Sequence, residues 1–205
     1  DMTELKKTRS EIKREAILTG ALKAFQQYGV ADTSMDKIAE TANVSKRTVY
    51  NHFDSKEVLV THIIKDIWSK TLVAYNVNYS PNKPLKEQFL ELVLNEIAFS
   101  QNENFFELVR VAISHTLFST DSFRADMRQF FEQETALIRW LKEANKDGKF
   151  VGMDAIKANE QIIGLIKGQA FWPQILRFDA PLTNEQCIEL AEETVQLIMC
   201  RYLAK

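Results

Sequence analysis

The 205-residue chain has two cysteines, six glycines and four prolines, and no long apolar run. Each scarcity removes a class of protein. Cys187 and Cys200 lie thirteen residues apart on one expected helix. At about 100° per residue they point to nearly opposite faces and cannot pair within it. Neither sits near a second Cys or a His at zinc spacing, so reduced thiols are expected, with no metal and no cofactor. No stretch approaches the roughly 18 apolar residues that a membrane crossing needs. The first residues are polar and basic and lack an apolar leader core, so a cytoplasmic protein is expected. A Gly-rich phosphate loop, G-x-S-x-G and H-E-x-x-H are missing, and the carboxylates scatter over polar helix faces. An enzyme is not the expected reading.

What remains is ordinary in composition and uneven in distribution. Hydrophobic content of 45% and charged content of 26% suit a globular protein able to bury a real core. The net charge is −2 overall, but residues 1–56 carry ten Lys/Arg and eight Asp/Glu, a balance of +2, which leaves −4 on the rest. Lys6, Lys7, Arg9, Lys13 and Arg14 cluster near the start. A basic end on an acidic body suits a protein that turns one end toward phosphates. A solvated polar helix face is the plainer alternative.

Apolar periodicity predicts helices nearly throughout and no strand. The first runs from about Ser10 to Tyr28 and stops at Gly29. The second follows Thr33 or Ser34, either of which is a fit cap; Thr33 has Asp36 three places on, as in a capping box. The turn Ala42-Asn43-Val44 needs a left-handed residue at its centre, a role Asn tolerates. Ser45 caps the third helix, and Asp54-Ser55-Lys56-Glu57 opens a fourth that reaches about Tyr75. Asn76 to Pro84 reads as a linker. Further helices are expected at about Leu85–Gln101, Glu103–Phe118, Ser122–Lys146, Asp154–Leu176 and Asn184–Leu203. Pro173 should kink or end its helix.

The segment 33–57 is therefore two short helices joined by a tight turn, with a third helix at once behind them. A helix-turn-helix of this kind lays its second helix in the major groove of DNA. Val49 and Phe53, four apart, face inward. Ser45, Lys46, Arg47, Thr48, Tyr50, Asn51 and His52 are left at the cap and outer faces. Lys46 and Arg47 donate to guanine acceptors, and Thr48 meets a thymine methyl or a phosphate. Tyr50, His52 and Lys56 suit phosphate contacts, as do Thr33 and Ser34 at a helix N-terminus. His52 is equally a plain surface histidine, and Tyr50 is equally half core.

The run Thr33-Ser34-Met35, Ile38-Ala39 and Ala42 through Leu59 resembles the N-terminal domain of TetR-family transcriptional regulators. The resemblance covers roughly residues 10–60. The one departure is Asn43, where the family more often has Gly. The resemblance implies an all-α fold: a three-helix DNA-binding domain at 1–56, then a larger helical ligand-binding and dimerisation domain at 57–205. It also implies a homodimer on a palindromic operator in double-stranded DNA, with a small-molecule effector releasing a repressor by moving the fourth helix.

Two features of the body bear on that implication. The block 162–172 is apolar on nearly every face, so it must be covered on more than one side. Gly164 and Gly168, four apart, form a flat strip, Phe171 follows in the same block, and Ile188, Val195 and Met199 lie on a second apolar helix. Together they are the expected dimer surface; a single greasy core is the alternative. Aromatics with interspersed polar groups, Phe99, Phe106, Arg110, His115, Phe131, Glu134, Gln169 and Trp172, are the expected lining of a mostly apolar ligand pocket. Plain core filling is the alternative there. A body that binds a protein partner, making the chain a DNA-bound adaptor, is the second functional reading.

Overall fold

The computed structural model describes residues 7–74, 77–101, 103–117, 125, 128 and 132–205. Its helices are α1 (Arg9–Tyr28), α2 (Met35–Thr41), α3 (Lys46–His52), α4 (Lys56–Ala74), α5 (Leu85–Ser100), α6 (Glu103–Leu117), α7 (Ala136–Lys146), α8 (Ala155–Ala170), α9 (Trp172–Arg177) and α10 (Asn184–Tyr202). The all-α expectation holds. Among the described residues the only extended pairing is an isolated bridge between Phe150 and Leu203. Among them, too, no helix is long and apolar enough to cross a membrane. The chain forms two compact units: Asp1–Ile67 with Glu107–Phe123, and Trp68–Phe106 with Arg124–Lys205.

In the first unit, α1 starts on a capping box. Thr8 accepts from the Glu11 amide, and the Glu11 side chain accepts from the Thr8 amide. Gly29, at φ 80°, ends it. Ile17, Ala21, Ala24 and Phe25 bury one face of α1. Ile38 of α2, Val49 of α3, and Leu59, Val60 and Ile63 of α4 are buried in the same unit. Gly20 sets how near the turn can come. A Cβ placed there would lie 2.7 Å from Ala42 Cβ and 2.8 Å from the Ala42 backbone. At the start of α4, Ser55 Oγ accepts from the Val58 amide. Arg14, part of the basic N-terminal cluster, turns inward. Its guanidinium lies 3.0 Å from His62 Nδ1 and 5.3 Å from the Phe53 ring centroid.

The second unit is built on α5, α7, α8 and α10. Phe89 stacks on Trp140 at 5.2 Å, within a core that includes Leu137, Leu141, Ile162, Ile166 and Ile198. The predicted linker is pinned where it meets α5. Gln88 is buried; its side-chain oxygen accepts from the Ser80 amide at 2.8 Å, and its nitrogen donates to the Ser80 and Lys83 carbonyls.

Two expected helices are corrected. The run Ser122–Lys146 is not one helix, because 132–135 are non-helical and Thr135 caps a fresh start by accepting from the Ile138 amide. The run Asp154–Leu176 breaks at Phe171, at φ −146° and ψ −63°. Pro173 has no N–H to offer the Gln169 carbonyl. The Gln174 side chain donates to that carbonyl instead, at 3.1 Å.

Gly20→Ala should destabilise the first unit by about 1–3 kcal/mol, because the Ala42 backbone cannot give way as a flexible side chain would. A thermal melt of the variant tests this; an unchanged midpoint would refute the close approach.

Candidate nucleic-acid interface

The α2–turn–α3 geometry starts with two serine caps. Ser34 Oγ accepts from the Lys37 amide at 3.2 Å, and Ser45 Oγ accepts from the Thr48 amide at 3.1 Å. Between them Asn43 takes φ 53°, the left-handed value expected of it. Val49 and Phe53 are fully buried, which orients α3. The opposite face is left outward. Lys46, Arg47, Asn51 and Tyr50 are exposed, with Tyr50 at 43%. Thr48 and His52 are half-buried. The Thr48 hydroxyl shares a 2.8 Å hydrogen bond with Ser45 Oγ.

Lys46 and Arg47 differ in what they already hold. Lys46 Nζ is 2.8 Å from the Asp36 carboxylate, and the hydrogen bond to Asp36 and its charge raise the lysine pKa. Among the described residues Arg47 has no ion-pair or hydrogen-bond partner. The planar donor fork best suited to a guanine edge is thus the less engaged of the two.

Two of the expected phosphate contacts are engaged elsewhere. Thr33 is 1% exposed, and its hydroxyl donates to the Gly29 carbonyl at 2.6 Å. It braces the α1–α2 connector from within, which corrects the expectation of an outward side chain; Ser34 is the exposed member of the pair. Lys56 is half-buried, and its ammonium donates to the Val30 and Ala31 carbonyls at 2.8 and 3.1 Å. Lys37, which the sequence reading passed over, lies on α2, paired with Glu40 and 5.0 Å from the Tyr28 ring centroid.

In the body, the pocket and dimer residues are dispersed. Phe99 meets Trp68 edge-on at 5.1 Å and Phe105 at 5.2 Å. Phe106 is buried, and Arg110 is half-buried on the α6 portion that belongs to the first unit. Phe131 and the His115 side chain lie outside the described residues. Glu134 is exposed and ion-paired with Lys142. Gln169 and Trp172 are also exposed. Of the dimer set, Gly164, Gly168 and Ile188 are exposed, and a Cβ at either glycine would meet nothing within 4 Å. Met199 is half-buried and Phe171 buried. Val195, at 0% exposure, is covered by its own chain and has no surface to offer a second copy.

Sequence reasoning missed one pair in the second unit. Glu96 on α5 and Lys167 on α8 are half-buried. Burial pushes the Glu96 carboxyl above its ordinary value, against the opposing pull of the Lys167 charge. Burial likewise pushes the Lys167 ammonium down, against the Glu96 charge. Lys167 Nζ also sits 5.2 Å from the Phe171 ring centroid. The signal was available: Glu96 falls four after Leu92 and three after Val93, on the apolar stripe of α5.

Residues 17–63 match the family described as bacterial regulatory proteins, tetR family. Residues 87–204 match the AefR-like transcriptional repressor, C-terminal domain. The chain belongs to the TetR family. As a TetR-family protein it is a DNA-binding transcriptional regulator. Over 148 residues, 69% of this chain, it is 32% identical to the HTH-type transcriptional regulator RutR of Escherichia coli (strain K12). That match spans 66% of RutR, slightly under two thirds of its length. A TetR family transcriptional regulator of known structure from Pseudomonas syringae pv. tomato str. DC3000 is 33% identical. There the likeness covers 95% of this chain and 98% of that one, with a TM-score of 0.71. The transcriptional regulator FadR of Bacillus subtilis, solved in complex with stearoyl-CoA, shares the fold at 16% identity. It has a TM-score of 0.64, with 90% of this chain and 96% of that one covered.

A carboxyl whose folded pKa is raised binds its proton more tightly folded than unfolded. Its contribution to stability is therefore present at low pH and lost as pH rises from the ordinary value of 4.5 through the folded value. Glu96→Gln should remove that loss. The melting temperature of the variant relative to wild type should climb as pH rises from 4.5 and then level off. Parallel pH profiles would refute it.

Proposed function

We propose that this TetR-family regulator is a homodimeric repressor of a near-palindromic operator, released by a small, mostly apolar ligand held in the second unit. The observation that carries the DNA half is α3 itself: Val49 and Phe53 bury one side while Lys46, Arg47 and Tyr50 stand on the other. Arg47, and Lys46 once it leaves Asp36, read guanine edges. Ser34, Ser45, Thr48, Tyr50, Asn51 and His52 hold the phosphates and fix register. Two copies of α3, about 34–36 Å apart in the dimer, reach successive major-groove half-sites.

Support for the dimer comes from apolar surface that the chain leaves uncovered. Gly164 and Gly168 open onto empty space, and Trp172, Leu176, Ile188 and Leu197 are 44–68% exposed. Such a patch on a monomer marks an interaction surface. The repressor reading agrees with the description of the C-terminal match. The ligand reading draws on the aromatic cluster of Trp68, Phe99 and Phe105 in the second unit. FadR, which shares the fold, was solved with stearoyl-CoA, an acyl chain on a polar head. Glu96 and Lys167 are the polar groups such a ligand would meet. A protein partner on the same unit, which would make the chain a DNA-bound adaptor, is the second reading; the exposed patch suits it equally well.

Selection of genomic fragments by the purified protein at physiological salt tests the DNA half, and recovery of a palindromic motif is the expected result. Lys46→Ala combined with Arg47→Ala should abolish specific binding while leaving the dimer intact in sedimentation. The same sites selected by the double variant would sink the assignment of α3. An effector that weakens operator binding must itself be weakened by operator to the same factor. Titrations in both directions read this, and a factor of one would remove the sensing half.

A further inference from the structure

Residues 29–33, between α1 and the Ser34 cap of α2, have almost no backbone partners of their own. Gly29 still closes its amide on Phe25, and beyond it four polar backbone groups of the connector are met by side chains. Thr33 donates to the Gly29 carbonyl. Lys56 of α4 donates to the Val30 and Ala31 carbonyls. The Val30 amide donates to the Glu107 carboxylate of α6 at 3.2 Å. Val30 is 3% exposed and the bond is part-buried, although Glu107 itself stands at the surface. A buried amide left without an acceptor carries a full desolvation cost.

The owners of these side chains matter. α4 and α6 are the helices that the division into units cuts, at Ile67/Trp68 and at Phe106/Glu107. Each places one side chain on the same short loop. Glu107 is the first residue of α6 on the DNA-reading side of that cut. The loop leads straight into the Ser34 cap of α2, and the turn after α2 lies against α1 at Gly20. A displacement of Val30 and Ala31 therefore has little slack before it reaches α3.

We propose that the connector 29–33 is a coupling point at which both α4 and α6 set the position of the DNA-reading helices, with Lys56 and Glu107 as positioning residues. The proposal rests on the DNA-reading function above and adds to it. It gives Glu107 a positioning task within the DNA-reading unit, and it gives Lys56 a task other than a phosphate contact.

The experiment uses the full chain and the operator recovered by selection. Wild type, Glu107→Ala, Glu107→Gln and Lys56→Met are titrated with operator and with random duplex over a series of salt concentrations. Glu107→Ala should weaken operator binding about 5-fold, the loss of one net hydrogen bond, with random-duplex affinity and salt slope unchanged. Glu107→Gln keeps an acceptor oxygen and should recover most of the loss. Lys56→Met should also weaken operator binding at unchanged slope. Three results overturn the proposal. Glu107→Ala could bind as wild type. Alanine and glutamine could change affinity alike, which would leave charge alone as the cause. The slope for Lys56→Met could fall by about one, the signature of a lost phosphate contact. A reading that needs no variant is amide exchange in the wild-type chain. Val30 should be strongly protected, and exchange at the rate of an open loop amide would overturn the contact. Failure of the wild-type chain to select any operator is a separate result, and it removes the DNA-reading function first.

Discussion

The DNA-reading unit depends on the absence of one side chain. Gly20 lets Ala42 approach α1 until no Cβ would fit between them. That approach fixes the turn, and the turn fixes α3, because Asn43 and Val44 leave only a short path from Ala42 to the Ser45 cap. Val49 and Phe53 then complete the seat from the other end of α3. The exposure of Lys46 and Arg47 follows from this packing. Helix propensity alone would leave a seven-residue helix marginal.

A second principle governs the joints. Where helices end, the freed backbone groups are answered by side chains from elsewhere in the chain. The α1–α2 connector relies on Lys56, Glu107 and Thr33. The 77–84 stretch relies on Gln88, and the break at Phe171 on Gln174. At the latter two joints one buried glutamine replaces a run of helical hydrogen bonds; at the connector three side chains share the task, Thr33 buried, Lys56 half-buried and Glu107 exposed. These residues hold the segments whose geometry is otherwise least determined.

This also explains what was legible beforehand. The α2–turn–α3 segment could be read because each of its signals is local: a serine cap, a left-handed Asn, and apolar residues four apart. The boundaries of α1, α2 and α3 followed for the same reason, whereas the runs Ser122–Lys146 and Asp154–Leu176 broke where the structure starts a new helix. The residues placed differently are those whose partners lie outside the local pattern of a cap or a stripe. Thr33 has the composition of a cap, yet its hydroxyl finds carbonyls on the preceding helix end. Lys56 looks like a basic residue beside DNA, yet it reaches back 26 residues to Val30. Val195 belongs to an apolar stripe, and periodicity gives the face without saying which body covers it. Glu96 and Lys167 were overlooked because a charge inside an apolar stripe is readily assigned to its edge. At Phe171 the proline signal was read correctly, but the identity of the group that answers the orphaned carbonyl was not available from spacing.

The Asp36–Lys46 pair bears on how much positive charge α3 presents. A lysine already neutralised by a neighbouring carboxylate releases little counterion when it passes a random phosphate. The Asp36 carboxylate therefore offsets part of the positive charge that α3 presents at its exposed face. Lys46 thus presents a partly neutralised charge, while the exposed Arg47 guanidinium, among the described residues, keeps its full charge toward solvent.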